Sequence, residues 1–392
     1  MNLIDTSKEL KSICSILKKQ KVITIDCEFI REKTYYPIPC LLQIGYEEGA
    51  FIIDMQAKEV DFSPFFALMK NKKVLKVFHS GRQDIEIIYN LSGFIPTPIF
   101  DTQIAASACG FGESISYENL VKLCCNKELD KSCRLTNWQI RPLTEEQLEY
   151  ASADVTHLIV CYNKIISFLN ENNRLEWIKE ELEDFADISH YEIDNDKAWL
   201  RIRRNNHSIP FLNALKVLAS WREERAKRQN VTRQNILKDD MLINVATVFP
   251  KTIEEFKSVR GMRPDILKSI LVTEMLEVLQ KLQETGLDKT LSKQDKEKDI
   301  SLSPSQQSLY EIIKLLLKIK SNEHKVVPHL ISSEKNLREF IKNPKAKNKI
   351  LEGWRYNIFG KYVEDLSKGN LCLTYNPETH DIEIKEFNPT SN

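Results

Sequence analysis

The sequence predicts an α/β domain followed by two small helical bundles, and three observations carry that prediction. Up to about residue 170, β-type runs such as VITIDCEF, CLLQIGY, AFIIDM and VLKVFHS are interspersed with helical stretches such as DIEIIYNL and EEQLEYASADVTHLIVCYNKII. That mixture is the pattern of an α/β domain. Strands then largely vanish: residues 208–286 read as helical, with breaks at Pro250 and the turn VRGMRP. A lysine-rich polar stretch, GLDKTLSKQDKEKDISLSP, separates this from a second helical segment of similar length. The expected boundaries are an α/β domain over 1–170, a connecting helical segment over 171–207, a bundle over 208–286, a linker over 287–303 and a second bundle over 304–375. The late run NLCLTYNPETHDIEI reads as a short strand pair.

The chain has 392 residues, 42% hydrophobic and 29% charged, enough for two or three packed domains. Lys plus Arg (56) balance Asp plus Glu (56), yet the charge is uneven along the chain. Residues 176–196 hold nine acids against Lys179 alone, whereas 201–238 hold ten Lys and Arg against Glu223 and Glu224. The basic segment is where phosphate contacts are expected. Nine cysteines without CxxC spacing read as reduced, mostly buried thiols. The start, MNLIDTSKELKSIC, has early acids and no apolar signal region, and no apolar run approaches the roughly 20 residues of a membrane helix. A cytoplasmic location is expected.

Within VITIDCEFI, Asp26 and Glu28 stand two apart, so on a strand they share a face. Two like charges that close repel, and a divalent cation would offset the repulsion; the alternative is a strand end at which both acids are hydrated. Asp84 follows the apolar run VLKVFHSG in the first turn of an expected helix, at the carboxyl end of a strand. That is the usual functional rim of an α/β sheet, although an acid there also complements the helix dipole. In YASADVTHL, Tyr150 and Asp154 are four apart and share one helix face, able to hold a water together or simply to pack and be solvated. His157, a turn further, is left out of the site.

In their order, an acid pair on the first long strand, an acid after a later strand and a Tyr-x-x-x-Asp helix resemble the DEDD exonuclease superfamily, tyrosine subtype. The stretches DCEFIREKTYYPIPCLLQIG, FDTQIAA and DKSCRLTNWQIRPLTEEQLEYASADVTHL are similar to ribonuclease D. Downstream, FLNALKVLASWREERAKRQNVTRQNILKDDMLINVA and FKSVRGMRPDIL resemble the helicase-and-ribonuclease-D C-terminal (HRDC) domain. The resemblance is strong to about residue 285 and weaker beyond. It implies a ribonuclease H-like exonuclease domain, with a mixed central sheet flanked by helices, followed by two HRDC-like bundles, the second divergent.

The resemblance also implies the chemistry. Asp26, Glu28, Asp84 and Asp154 would hold two magnesium or manganese ions roughly 4 Å apart, with Asp26 bridging and Tyr150 orienting the attacking water. The product would be 5′-mononucleotides from a free 3′ end, and the substrate RNA, chiefly transfer RNA precursors. A DNA exonuclease and a binding protein with a vestigial nuclease domain are the alternatives. No small-molecule cofactor and no membrane partner are expected, and the protein is expected to be a monomer. Arg134, Trp138 and Arg141, in the loop before the catalytic helix, are candidate RNA contacts, by phosphate pairing and base stacking or else by packing of the loop. In the first bundle Arg222, Arg225, Lys227, Arg228 and Arg233 are candidate phosphate contacts, against the alternative of a solvated helix face. Asp101 is expected to cap the helix after it, Gln43 receives no firm role, and the Cys27 side chain is expected to face away from Asp26 and Glu28 with little effect.

Overall fold

The computed structural model describes residues 3–130, 132–134, 136–291 and 300–387; the part of the expected linker at 292–299 lies outside the described residues. The first 171 residues run β1 (Leu3–Ile4), α1 (Ser7–Leu17), β2 (Val22–Ile30), β3 (Ile38–Tyr46), β4 (Gly49–Asp54), α2 (Ser63–Lys70), β5 (Leu75–Phe78), α3 (Arg82–Ser92), β6 (Ile99–Asp101), α4 (Thr102–Ala108), α5 (Tyr117–Cys125) and α6 (Glu145–Glu171). One six-stranded sheet has the order β1-β4-β3-β2-β5-β6. β2 pairs antiparallel with β3 and parallel with β5, so the sheet is mixed and the acid-bearing strand is central.

Alternation along β2 separates the two faces. Ile23, Ile25 and Cys27 pack with Leu10, Leu17, Phe65 and Ile85 of α1, α2 and α3. Thr24, Asp26 and Glu28 point to the opposite face, where α6 crosses. The crossing is close because β3 carries Gly45 opposite Thr24. A Cβ on Gly45 would lie 2.7 Å from the Val155 carbonyl oxygen and would also collide with the Thr24 hydroxyl. In its absence Thr24 donates a 2.7 Å hydrogen bond to that carbonyl. Residue 155 of α6 is thereby pinned to β2, and Asp154 beside it is placed against Asp26 and Glu28.

After α7 (Leu175–Phe185) come two 3₁₀ turns and a first helical module: α8 (Ile209–Gln229), α9 (Arg233–Ile236), α10 (Asp239–Val248), α11 (Ile253–Phe256), α12 (Pro264–Leu267) and α13 (Ile270–Thr285). Its core, built on Leu212, Leu215, Leu242, Phe256 and Leu279, includes Trp199 from the connecting segment and Tyr35 from the β2–β3 hairpin. The seam is polar at that point. The Tyr35 hydroxyl donates to Glu223, which also accepts two 2.5 Å bonds from Arg233, and the Tyr36 amide donates to Asn230 at 3.0 Å.

A second module comprises α14 (Pro304–His324), α15 (Pro328–Ile331), α16 (Glu334–Lys342), α17 (Gly353–Arg355), a π-turn, α18 (Lys361–Ser367) and the hairpin β7 (Leu371–Asn376) with β8 (Asp381–Glu386). Its attachment is apolar. Ile313, Leu316, Leu330, Phe340 and Phe359 share one continuous core with Ala105, Leu120, Leu158 and Ile165 of α4, α5 and α6. Trp177 and Trp354 stack at 4.5 Å, and Arg174 bridges the Ala108 and His324 carbonyls at 2.8 Å each. All nine cysteines are free.

Candidate active site

The centre of the sheet opens into a cleft of about 520 Å³ lined by Asp26, Glu28, Tyr150 and Asp154, with His79, Ser80, Gln103, Ser116, Tyr117, Glu118, Asp130 and Arg134 completing its walls. One carboxylate oxygen from each of Asp26, Glu28 and Asp154 lies within 4.8 Å of the others, the one such metal-sized group among the described residues. These are hard oxygen donors, and among the described residues no ion pair engages them, a donor set that fits a divalent ion. Asp84, buried in the first turn of α3, is close enough to Asp26 for the two charges to repel. Tyr150 lines the same cleft one helical turn from Asp154.

Burial and mutual repulsion act in the same direction on these acids. Burial, against the backbone N–H of Cys27, pushes Asp26 up to about 6. Glu28 is pushed up to about 10 and Asp154 to about 9, each by burial first and then by the Asp26 charge. Asp84 rises well above the carboxylate range for the same reasons. Acids crowded together in this way are relieved by a bound cation as well as by protons.

The supporting residues are local consequences of the fold. Asp101 caps α4 by accepting from the amides of Gln103 and Ile104 at 2.8 and 3.1 Å, and its other oxygen accepts from Gly81 at 2.9 Å. It thus ties α4 to the turn that presents Asp84. The Cys27 side chain does face away from Asp26 and Glu28, onto the face of the sheet where α3 presents Asp84, and burial first, then the Asp84 and Asp26 charges, push its thiol well above the usual range. His79 is held between the Thr102 hydroxyl at 2.9 Å and the Ile115 carbonyl at 3.1 Å, and Ser80 adopts a left-handed backbone with φ of 57°. Neither they nor Tyr117 and Glu118 were singled out in the sequence. The strand-to-helix junction VFHSG marks the first two, while the α5 pair carries no local signal.

Most of the expected RNA contacts are engaged inside the protein. Arg141 binds Asp54 through Nε and a terminal nitrogen, both at 2.7 Å, and also donates to the Cys40, Trp138 and Ile140 carbonyls. All five of its donors are used, so it locks the loop to β4. Trp138 is 2% exposed and packs behind Tyr150, with ring centres 6.0 Å apart, so it offers no face for a base. Arg222 is buried against the Leu237 carbonyl and Asp239, both at 2.7 Å. Arg225 pairs with Glu274, Lys227 donates to the Ile193 carbonyl at 2.8 Å and to Asn195 at 2.6 Å, and Arg233 pairs with Glu223. The basic run is therefore mainly internal: α8 is central to its module, and acids on neighbouring segments neutralise its cations. Arg228 remains exposed, and Arg134 stands at the cleft mouth, 3.8 Å from Glu118.

A central acid-bearing strand, an acid at the next strand's end and a helix supplying a tyrosine and an aspartate define a 3′–5′ exonuclease domain. Residues 1–170 match the 3′–5′ exonuclease family and residues 211–279 match the HRDC domain. The chain is 37% identical over 372 residues to ribonuclease D of Bartonella henselae, covering 95% of this chain and 91% of that one. It is 39% identical to ribonuclease D of Sphingobium indicum, covering 95% of each. The crystal structure of Escherichia coli RNase D, an exoribonuclease involved in structured RNA processing, superposes with a TM-score of 0.78 at 27% identity over 94% of this chain and 99% of that one. The chain belongs to the ribonuclease D family and is a 3′–5′ exoribonuclease. Among the described residues no helix is long and apolar enough to cross a membrane.

Proposed function

We propose that this exoribonuclease trims 3′ extensions from transfer RNA precursors, with two magnesium or manganese ions held by Asp26, Glu28, Asp84 and Asp154. The observation that carries the cation reading is the approach of the Asp26, Glu28 and Asp154 oxygens to within 4.8 Å of one another. Asp26, whose charge acts on Glu28, Asp84 and Asp154 alike, would be the central ligand. Bound divalent cations would supply an activated water and neutralise the departing 3′-oxygen. Tyr150, one helical turn from Asp154, would orient that water, and burial pushes its phenol far above the ordinary range, so it stays a donor. Arg134 meets the phosphate of the incoming strand at the cleft mouth, and Arg228 adds a distal phosphate contact. The protein acts as a cytoplasmic monomer.

The test is digestion of a transfer RNA carrying a short 3′ extension, with magnesium or manganese, by the wild type and Asp26→Asn beside a matched single-stranded DNA. Cation-dependent release of 5′-mononucleotides that stops near the mature end and disappears in the variant is the expected result. Equal degradation of unstructured RNA without a stop would remove the precursor assignment. Persistence in Asp26→Asn would remove the ligand assignment.

A further inference from the structure

β3 places Gln43 directly opposite Asp26 in the antiparallel register, so the two side chains leave the same face of the sheet with Cβ atoms about 4.5–5.5 Å apart. Gln43 is fully buried, and neither its amide nitrogen nor its amide oxygen has a partner among the described residues. Its β4 partner, Ile52, belongs to the small apolar cluster that also holds Ala151 and Trp138 beneath α6. The Trp138 indole N–H, packed behind Tyr150, is likewise buried and unpartnered. Leucine would fill this position at lower cost, since an unsatisfied buried amide destabilises the fold. An amide kept there must gain its partner in another state of the protein.

We propose that Gln43 is a positioning residue for Asp26: its amide donates to the Asp26 carboxylate on the side away from the cleft and fixes the rotamer that presents the other oxygen to a cation. Asp26 lines the cleft while Gln43, its cross-strand partner, does not, and Glu28 has the apolar Leu41 opposite it. The inference rests on the cation reading of the cleft, and ligand-orienting partners of this kind typically change metal affinity or activity about 10- to 100-fold.

The experiment compares full-length wild type, Gln43→Leu, Gln43→Met and Asp26→Asn. It measures Mn²⁺ binding without RNA by electron paramagnetic resonance, kcat and KM on an oligoribonucleotide, and thermal midpoints in chelator. The Gln43 variants are expected to fold with midpoints equal to or above wild type, to bind Mn²⁺ about 10- to 100-fold more weakly, and to lose kcat with KM changed less than about twofold. Unchanged Mn²⁺ affinity and kcat in folded Gln43→Leu, with binding lost in Asp26→Asn, would overturn the positioning role alone. Failure of both Gln43 variants to fold would also overturn it, by making the amide a folding requirement. Unchanged Mn²⁺ binding in Asp26→Asn would overturn the cation reading and this role with it.

Discussion

Carboxylates are buried in two regions of this molecule for opposite ends. At the seam between the exonuclease domain and the first module, Glu223 is buried, but it receives Arg233 and the Tyr35 hydroxyl; burial pushes its carboxyl up, and these bonds outweigh that to hold it below the usual range. In the cleft, buried Asp84 and half-buried Asp26, Glu28 and Asp154 crowd one another and are pushed upward. A satisfied acid holds structure together, and a crowded set stores unfavourable charge that a ligand relieves. The difference lies in their partners: Glu223 meets a cation and a hydroxyl, whereas the cleft acids meet one another.

The largest effect expected from breaking this contrast is on catalysis. Asp26→Asn should lower kcat roughly a thousandfold or more, while raising the thermal midpoint of the cation-free protein because one of the crowded charges is gone. A fall in that midpoint would mean that the acids stabilise the fold. Gly45→Ala should come close behind, since its Cβ displaces α6 and with it Tyr150 and Asp154; activity and the α6 amide protection in hydrogen exchange should fall together.

At the seam, Glu223→Gln leaves Arg233 and Tyr35 without their anion. It should cost about 2–4 kcal/mol, read as a lower thermal midpoint, with KM on structured RNA changing more than kcat on an oligonucleotide. The pH responses should run in opposite directions. The cleft acids keep protons in the folded state that the unfolded chain sheds, so in chelator stability is full near pH 4 and declines as pH rises through about 6 to 10. Saturating Mg²⁺ should flatten that decline, and midpoints at pH 6 and pH 9 with and without Mg²⁺ check it. Glu223, held low, contributes stability above its ordinary range that is lost on acidification, and Glu223→Gln should remove that acid-side loss. The smallest expected effect belongs to Cys27→Thr, which keeps a donor to Asp84 and should hold kcat within about threefold, whereas Cys27→Val should lose more.

Much of the catalytic cleft was legible because its signals are local. Asp26 and Glu28 share a face through the two-residue period of a strand, and Tyr150 and Asp154 share one through the turn of a helix. The helix cap made by Asp101 follows from the same short-range geometry. The internal partners of Arg141 and part of those of Arg233 were not legible because distant segments supply them: Asp54 is 87 residues from Arg141, and Tyr35 is 198 from Arg233.

By itself the sequence determined the strand that carries the acid pair, the helix that carries Tyr150 and Asp154, and the change from mixed to helical structure, since periodicity and capping act over a few residues. The tertiary structure alone decided that Gly45 admits α6 to the sheet, that Cys27 lies beside Asp84, that Gln43 is unpartnered among the described residues across the sheet from Asp26, and that one module joins through Tyr35 seated in its core on Glu223 and the other through a shared apolar core. Those outcomes depend on which distant groups exclude water from one another, and no local pattern encodes that.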